Sequence, residues 1–200
     1  MTPHLVLLGD SIFDNRAYVK EGHSVIEHLW KLSSQAGQAT LLARDGDITE
    51  DVIEQLSRLP SDMTHLALSV GGNDALGAIP LMSMPAQSVM HALSQLTTVQ
   101  RAFHQSYRKL ANQLQALGKP LAVCTVYESV PGLTEELRTA LSLFNDVITR
   151  EALTVGATVI DLRRICTEAG DYSSQSPIEP SEIGGQKIAM ALYQWMSEKQ

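Results

Sequence analysis

Apolar and polar positions along the chain follow two rhythms. Short, almost unbroken apolar runs alternate with longer stretches in which apolar residues return every third or fourth position. The runs fall at residues 4–8, 39–43, 65–70, 121–126 and 157–161. They read as buried strands, because a strand covered on both faces loses the polar alternation of a one-sided sheet. The stretches between them read as amphipathic helices. Ser24-Val25-Ile26-Glu27 is a capping box, followed by an apolar face of Ile26, Leu29, Trp30 and Leu32 and an expected stop at Gly37. Thr49 is expected to cap a second helix, with Glu50 and Asp51 in its first turn and Val52, Ile53, Leu56 and Leu59 on its face. The longest periodic stretch covers residues 85–118, with Phe103 and Tyr107 read as core. Leu137, Leu141, Phe144 and Ile148 mark another helix, and Ile188, Leu192 and Trp195 the last. Residues 170–182 form a loop rich in Ser, Pro and acid. Strand-helix alternation of this kind predicts one three-layer αβα domain over residues 1–200, with a five-stranded parallel sheet and right-handed crossovers.

Composition narrows the partners. The chain has 200 residues, 44% of them hydrophobic and 18% charged, with a net charge of −7. That balance argues against nucleic acid or an anionic membrane as main partner. The apolar run at the start is too short for a secretion signal or a membrane span, so a cytoplasmic location is expected. Neither of the two cysteines, Cys124 and Cys166, has zinc-ligand spacing or a basic setting, and both read as buried free thiols. Nothing in the sequence calls for a cofactor.

The chemistry lies where strands end. In a parallel sheet the loops after the strands share one edge, and ligands bind there. The first strand stops abruptly at Gly9-Asp10-Ser11. The second runs into Asp45-Gly46-Asp47, and the third into Gly71-Gly72-Asn73-Asp74. One edge thus collects a serine hydroxyl, a glycine amide and a neutral side-chain amide. Acyl transfer needs such a set, a nucleophile with donors aimed at the developing oxyanion. Ser11 is the candidate nucleophile, and Gly46 and Asn73 with the Ser11 amide are the candidate oxyanion donors. Asp10, Gly72 and Asp74, which flank them, are candidate substrate-binding residues. Leu76, Ile79, Leu81, Met82 and Met84 then form an apolar loop, expected to pack on the long helix, with an acyl pocket as the other reading.

These three blocks resemble those of the SGNH hydrolases, the GDSL lipase and esterase superfamily. Gly9-Asp10-Ser11-Ile12 matches the nucleophile block, Gly46 the oxyanion glycine, and Asn73 the oxyanion asparagine. The resemblance implies a flavodoxin-like sheet of order 2-1-3-4-5 and hydrolysis of small acyl esters. It also exposes a departure. The superfamily's last block is Asp-x-x-His, and here Gly184, Gly185, Ile188 and Ala189 align Ser176 with the Asp and Glu179 with the His. The last histidine of the chain is His104, so no histidine follows in the usual order.

An imidazole titrates near neutral pH, whereas an ordinary carboxylate titrates about two pH units lower and is a poorer base. Three routes remain. Burial beside Asp10, Asp14 or Asp74 would raise Glu179 toward neutrality. His23, in the loop after the first strand, would replace the missing base. Asp10, Asp14, Asp74 and Glu179 would hold a divalent metal. Asp161, at the end of the fifth strand, is expected to cap a turn or to hold the Glu179 loop. The expectation is therefore a serine esterase with Glu179 as an unusual base or a base-orienting residue, acting on a small-molecule ester. The alternative is a catalytically impaired protein that binds such a ligand.

Overall fold

The computed structural model describes residues 2–33 and 37–198. Five strands, β1 (His4–Gly9), β2 (Gln38–Leu41), β3 (His65–Ser69), β4 (Leu121–Cys124) and β5 (Thr158–Ile160), form one sheet. Every pairing is parallel, and the order is β2-β1-β3-β4-β5, as the resemblance implies. Among the described residues seven α-helices accompany it: α1 (Val25–Ser33), α2 (Val52–Leu56), α3 (Gly72–Gly77), α4 (Val89–Ala116), α5 (Glu135–Thr154), α6 (Leu162–Ile165) and α7 (Glu182–Glu198).

Alternate residues of the central strands feed two separate cores. Leu5 and Leu7 of β1, Ala67 of β3 and Cys124 of β4 pack with α1 and α7, through Val25, Leu29, Ile188 and Leu192. Val6 and Leu8 of β1, Leu66 and Leu68 of β3 and Val123 of β4 pack with α4 and α5, through Phe103, Tyr107, Leu110 and Ile148. Burial on both faces is what produced the unbroken apolar runs. Both cysteines are buried, Cys124 and Cys166 alike.

Several local expectations change. Strand β2 lies at the edge of the sheet and is only partly buried, since it has a neighbour on one side alone. Trp30 is 52% exposed, its indole N–H donating to the Ala39 carbonyl rather than its ring packing in the core. Glu27 reaches back to the Ser24 N–H as a capping box requires, but the Ser24 hydroxyl donates to the same carboxylate. The expected helix stop before Gly37 falls at residues 34–36, outside the described residues. Thr49 does not cap α2; its N–H and hydroxyl both donate to Asp74, and Asp51 is the N-cap residue.

The long helix starts at Val89, where the Ser88 hydroxyl accepts the His91 N–H. All of its buried residues, Phe103 to Leu114, lie in its C-terminal half. Residues 75–88 do not pack away as a core loop. Leu76, Ile79, Met82 and Met84 stay exposed, as do Val89, Met90 and Leu93 in the first turns of α4.

Where β1 and β3 end side by side, Gly9 pairs with Ser69. Gly9 has φ +128°, and a β-carbon there would overlap the Ser69 carbonyl oxygen. Gly9→Ala is expected to cost at least ~2 kcal/mol of stability, from backbone displacement plus a disfavoured φ. A melting temperature unchanged from the native protein would contradict this.

Candidate active site

Beyond Gly9 the chain makes a single turn. The Asp10 carbonyl accepts the N–H groups of Phe13 (3.2 Å) and Asp14 (3.1 Å), and the Asp10 carboxylate accepts the Ile12 N–H at 3.1 Å. Asp10 thus caps the turn that carries Ser11. A buried glutamine holds the turn in place. Gln55 of α2 accepts the Gly9 N–H at 2.8 Å and donates to the Gly9 carbonyl at 2.7 Å. The same amide nitrogen donates to the Asp47 carboxylate at 2.8 Å, tying the first loop to the second.

The second loop is fastened at both ends. The Asp45 N–H donates to Asp14 at 3.0 Å, and the Tyr18 hydroxyl donates to the Asp45 carboxylate at 2.7 Å. In the third loop Gly71, with φ +124°, opens α3 and puts Asn73 in its first turn. The Asn73 amide nitrogen donates to the Asp47 carbonyl at 3.0 Å, which fixes the direction of its side chain. Asp74 accepts both Thr49 donors, so it braces the second loop against the third.

Glu179 arrives from the other end of the chain. Its backbone is held by Ser173, whose N–H donates to the Glu179 carbonyl at 2.8 Å, and by the Ser176 carbonyl, which accepts the Glu179 N–H at 3.0 Å. The Tyr127 hydroxyl donates to the Ile178 carbonyl at 2.6 Å, and the Asn15 amide donates to the Pro180 carbonyl at 3.1 Å. The side chain is 4% exposed. Its carboxyl lies close enough to the Ser11 hydroxyl to feel it, while Oε2 has no hydrogen-bond partner among the described residues. Burial raises the Glu179 pKa from an ordinary 4.5 to about 7, with the Ser11 hydroxyl pulling it back and the Asp45 charge adding to the rise. Burial likewise raises Asp10, opposed by the Ile12 N–H and helped by Glu179 and Asp74. It raises Asp74 too, against the two Thr49 hydrogen bonds.

Asp10, Ser11, Gly72, Asn73 and Glu179 line one cavity of about 130 Å³. Gly46 and Asp74 do not line it. Gly46 sits on the exposed crest of the second loop, with φ +86° and open space around it, next to the residue that anchors Asn73. The other candidates lie apart. His23 contacts Lys31, and its ring lies tilted at 52° with its centroid 5.5 Å from that of His28; it does not line the cavity. Asp14 binds the second loop, and Asp161 caps α6 and pairs with Arg163. Among the described residues no group of three or more His, Cys, Asp or Glu side chains is arranged to hold a metal ion.

Sequence reading missed Gln55, Asn15 and Tyr127, which position the site without touching its chemistry. The one signal available was an uncharged polar residue on an otherwise apolar helix face, Gln55 between Val52 and Leu56.

The fold recurs in solved hydrolases. An extracellular lipase from Streptomyces rimosus matches with a TM-score of 0.69 at 19% identity, covering 96% of this chain and 99% of that one. An α/β hydrolase enzyme from the metagenome of Lake Arreo, Spain, matches at 0.73 and 18%, covering 98% and 95%. An acetyl xylan esterase from Geobacillus stearothermophilus matches at 0.70 and 14%, covering 97% and 94%. No protein-family model and no curated protein matches the sequence. What is shared at these identities is the fold.

The raised Glu179 pKa has a consequence for stability. Between pH 4.5 and about 7 the folded chain holds a proton that the unfolded chain has released. Stability from this group is therefore complete below pH 4.5 and falls as pH rises through 7. Glu179→Gln is expected to raise the melting temperature at pH 8 and to leave it nearly unchanged at pH 4.5. An equal shift at both values would contradict the assignment.

Proposed function

We propose that the protein is a serine hydrolase of carboxylic esters, with Ser11 as nucleophile and Glu179 as general base. One observation carries this reading: a buried carboxyl titrating near 7 stands against a serine hydroxyl at the wall of a cavity that Asn73 also lines. A base is most effective when its pKa lies near the working pH, and burial brings Glu179 there without a histidine. The structural neighbours named as lipases and acetyl xylan esterases support the same reaction class.

In the proposed reaction Glu179 takes the proton as Ser11 Oγ attacks the ester carbonyl carbon. The carbonyl oxygen becomes the oxyanion, received by the Asn73 amide and the Ser11 N–H; Gly46, on the exposed crest of the second loop, stands outside this set. Collapse breaks the bond to the alkoxy group, which leaves as an alcohol with the proton from Glu179. Water then attacks the acyl-serine with Glu179 again as base, releasing the acid and restoring Ser11. A carboxylate base moves one negative charge from Glu179 to the oxyanion and creates no cation. The burial that makes the Glu179 charge costly thereby favours its transfer to the donors.

A fluorophosphonate probe is expected to label the native protein at Ser11 and not the Ser11→Ala variant. Glu179→Gln is expected to slow labelling at pH 8 by about 10²–10⁴-fold, the usual contribution of a general base. Absence of labelling from pH 6 to 9 would overturn the reading and favour a protein that binds its ligand without turnover.

A further inference from the structure

The cavity has one polar end, where Asp10, Ser11, Asn73 and Glu179 lie. The remaining wall is almost entirely apolar. It is built by Leu96 and Val99 of α4, Val130 and Leu133 of the segment after β4, and Leu137 and Phe144 of α5. Ser69, Gln100 and Tyr127 are the polar exceptions; the Gln100 amide donates to the Leu143 carbonyl and the Tyr127 hydroxyl to the Ile178 carbonyl. No Lys, Arg or His is among the lining residues. A phosphate or another anionic leaving group finds no cation here, and a sugar would bury hydroxyls against hydrocarbon without partners.

The size is informative as well. An engineered apolar cavity of about 150 Å³ holds benzene, so the 130 Å³ here suits an aliphatic group of about six carbons. The cavity then opens on apolar surface rather than on a charged rim. Leu76, Ile79 and Met82 line it while remaining 39%, 43% and 40% exposed. Residues 75–100, which build this side, contain no Asp, Glu, Lys or Arg. A chain somewhat longer than the cavity would lie along this strip and still lose contact with water.

We infer that the ester acted on carries a medium-length aliphatic acyl chain, hexanoyl to octanoyl, joined to an uncharged alcohol, and is not an acetyl ester. The inference rests on the serine esterase reading and adds the substrate class. Acetyl leaves the apolar wall empty, whereas each further methylene buried favours binding about fourfold until the cavity is full.

The test is a chain-length series of p-nitrophenyl esters, from acetyl to dodecanoyl, on the purified protein. The expected kcat/KM is highest at six to eight carbons and at least ~10-fold above acetyl, a fraction of the full methylene gain. Ala140→Phe, which fills the α5 wall, is expected to lower the hexanoyl-to-acetyl ratio at least about fourfold, the worth of one buried methylene. Leu137→Ala, which enlarges the same wall, is expected to move the optimum to longer chains. Acetyl as the fastest substrate, or an optimum that neither variant moves, overturns the inference. If Ser11 is labelled by a fluorophosphonate while acetyl is fastest, the esterase reading stands and the chain-length assignment fails. If Ser11 is not labelled and no ester is cleaved, both fail.

Discussion

Two backbone segments meet at Gly9 more closely than any side chain allows, and the position of the site follows from that approach. Gly9 lies against the Ser69 carbonyl, which also accepts the Asp10 N–H at 3.0 Å. Gln55 fills the remaining polar valences of Gly9, both its N–H and its carbonyl. With β1 and β3 locked at the same level, Ser11 leaves the sheet beside the segment that carries Asn73. Parallel topology does the rest. Every strand delivers its following loop to the same edge, and residues far apart in sequence line one cavity.

The electrostatics of that edge depart from a histidine-based site in a consistent way. No cation lines the cavity, so nothing holds Glu179 in its charged form except the Ser11 hydroxyl. Burial dominates and lifts the carboxyl into the range where a base is useful at neutral pH. Asp10 and Asp74 rise for the same reason, and each is tied to backbone N–H groups that fix its place. A stability penalty and, in the proposed reaction, a catalytic advantage thus arise from one cause, the removal of Glu179 from water. Such penalties are expected where activity requires an uncomfortable group.

Much of the architecture was legible in the sequence because burial on both faces leaves a strong trace. Runs such as residues 4–8 and 65–70 admit few alternatives to central strands. The position of Glu179 was legible too, and packing shows why. Gly184 lies against the Asp171 carbonyl and Gly185 against Val25 and Asn15, so this stretch of α7 tolerates only small residues and anchors the loop before it. Interactions that span the chain left no local trace. Gln55 acts on a residue 46 positions away, and Asn15 on one 165 positions away. Thr49 has the composition of a cap, but its N–H and hydroxyl donate to Asp74 from a distant loop, and Asp51 is the N-cap residue of α2. The exposure of residues 75–88 was equally hidden, since an apolar loop has the same sequence whether a layer covers it or a ligand does.

The central claim is that Glu179 takes the proton of Ser11 and does so with a pKa near neutrality. The most direct measurement is the rate at which an uncharged fluorophosphonate inactivates Ser11 as a function of pH. The native protein should give a single rise with a midpoint near 7, where Glu179 loses its proton, and Glu179→Gln should give a slow rate without that rise. A midpoint that persists in Glu179→Gln, or a native rate that does not depend on pH, would contradict the account.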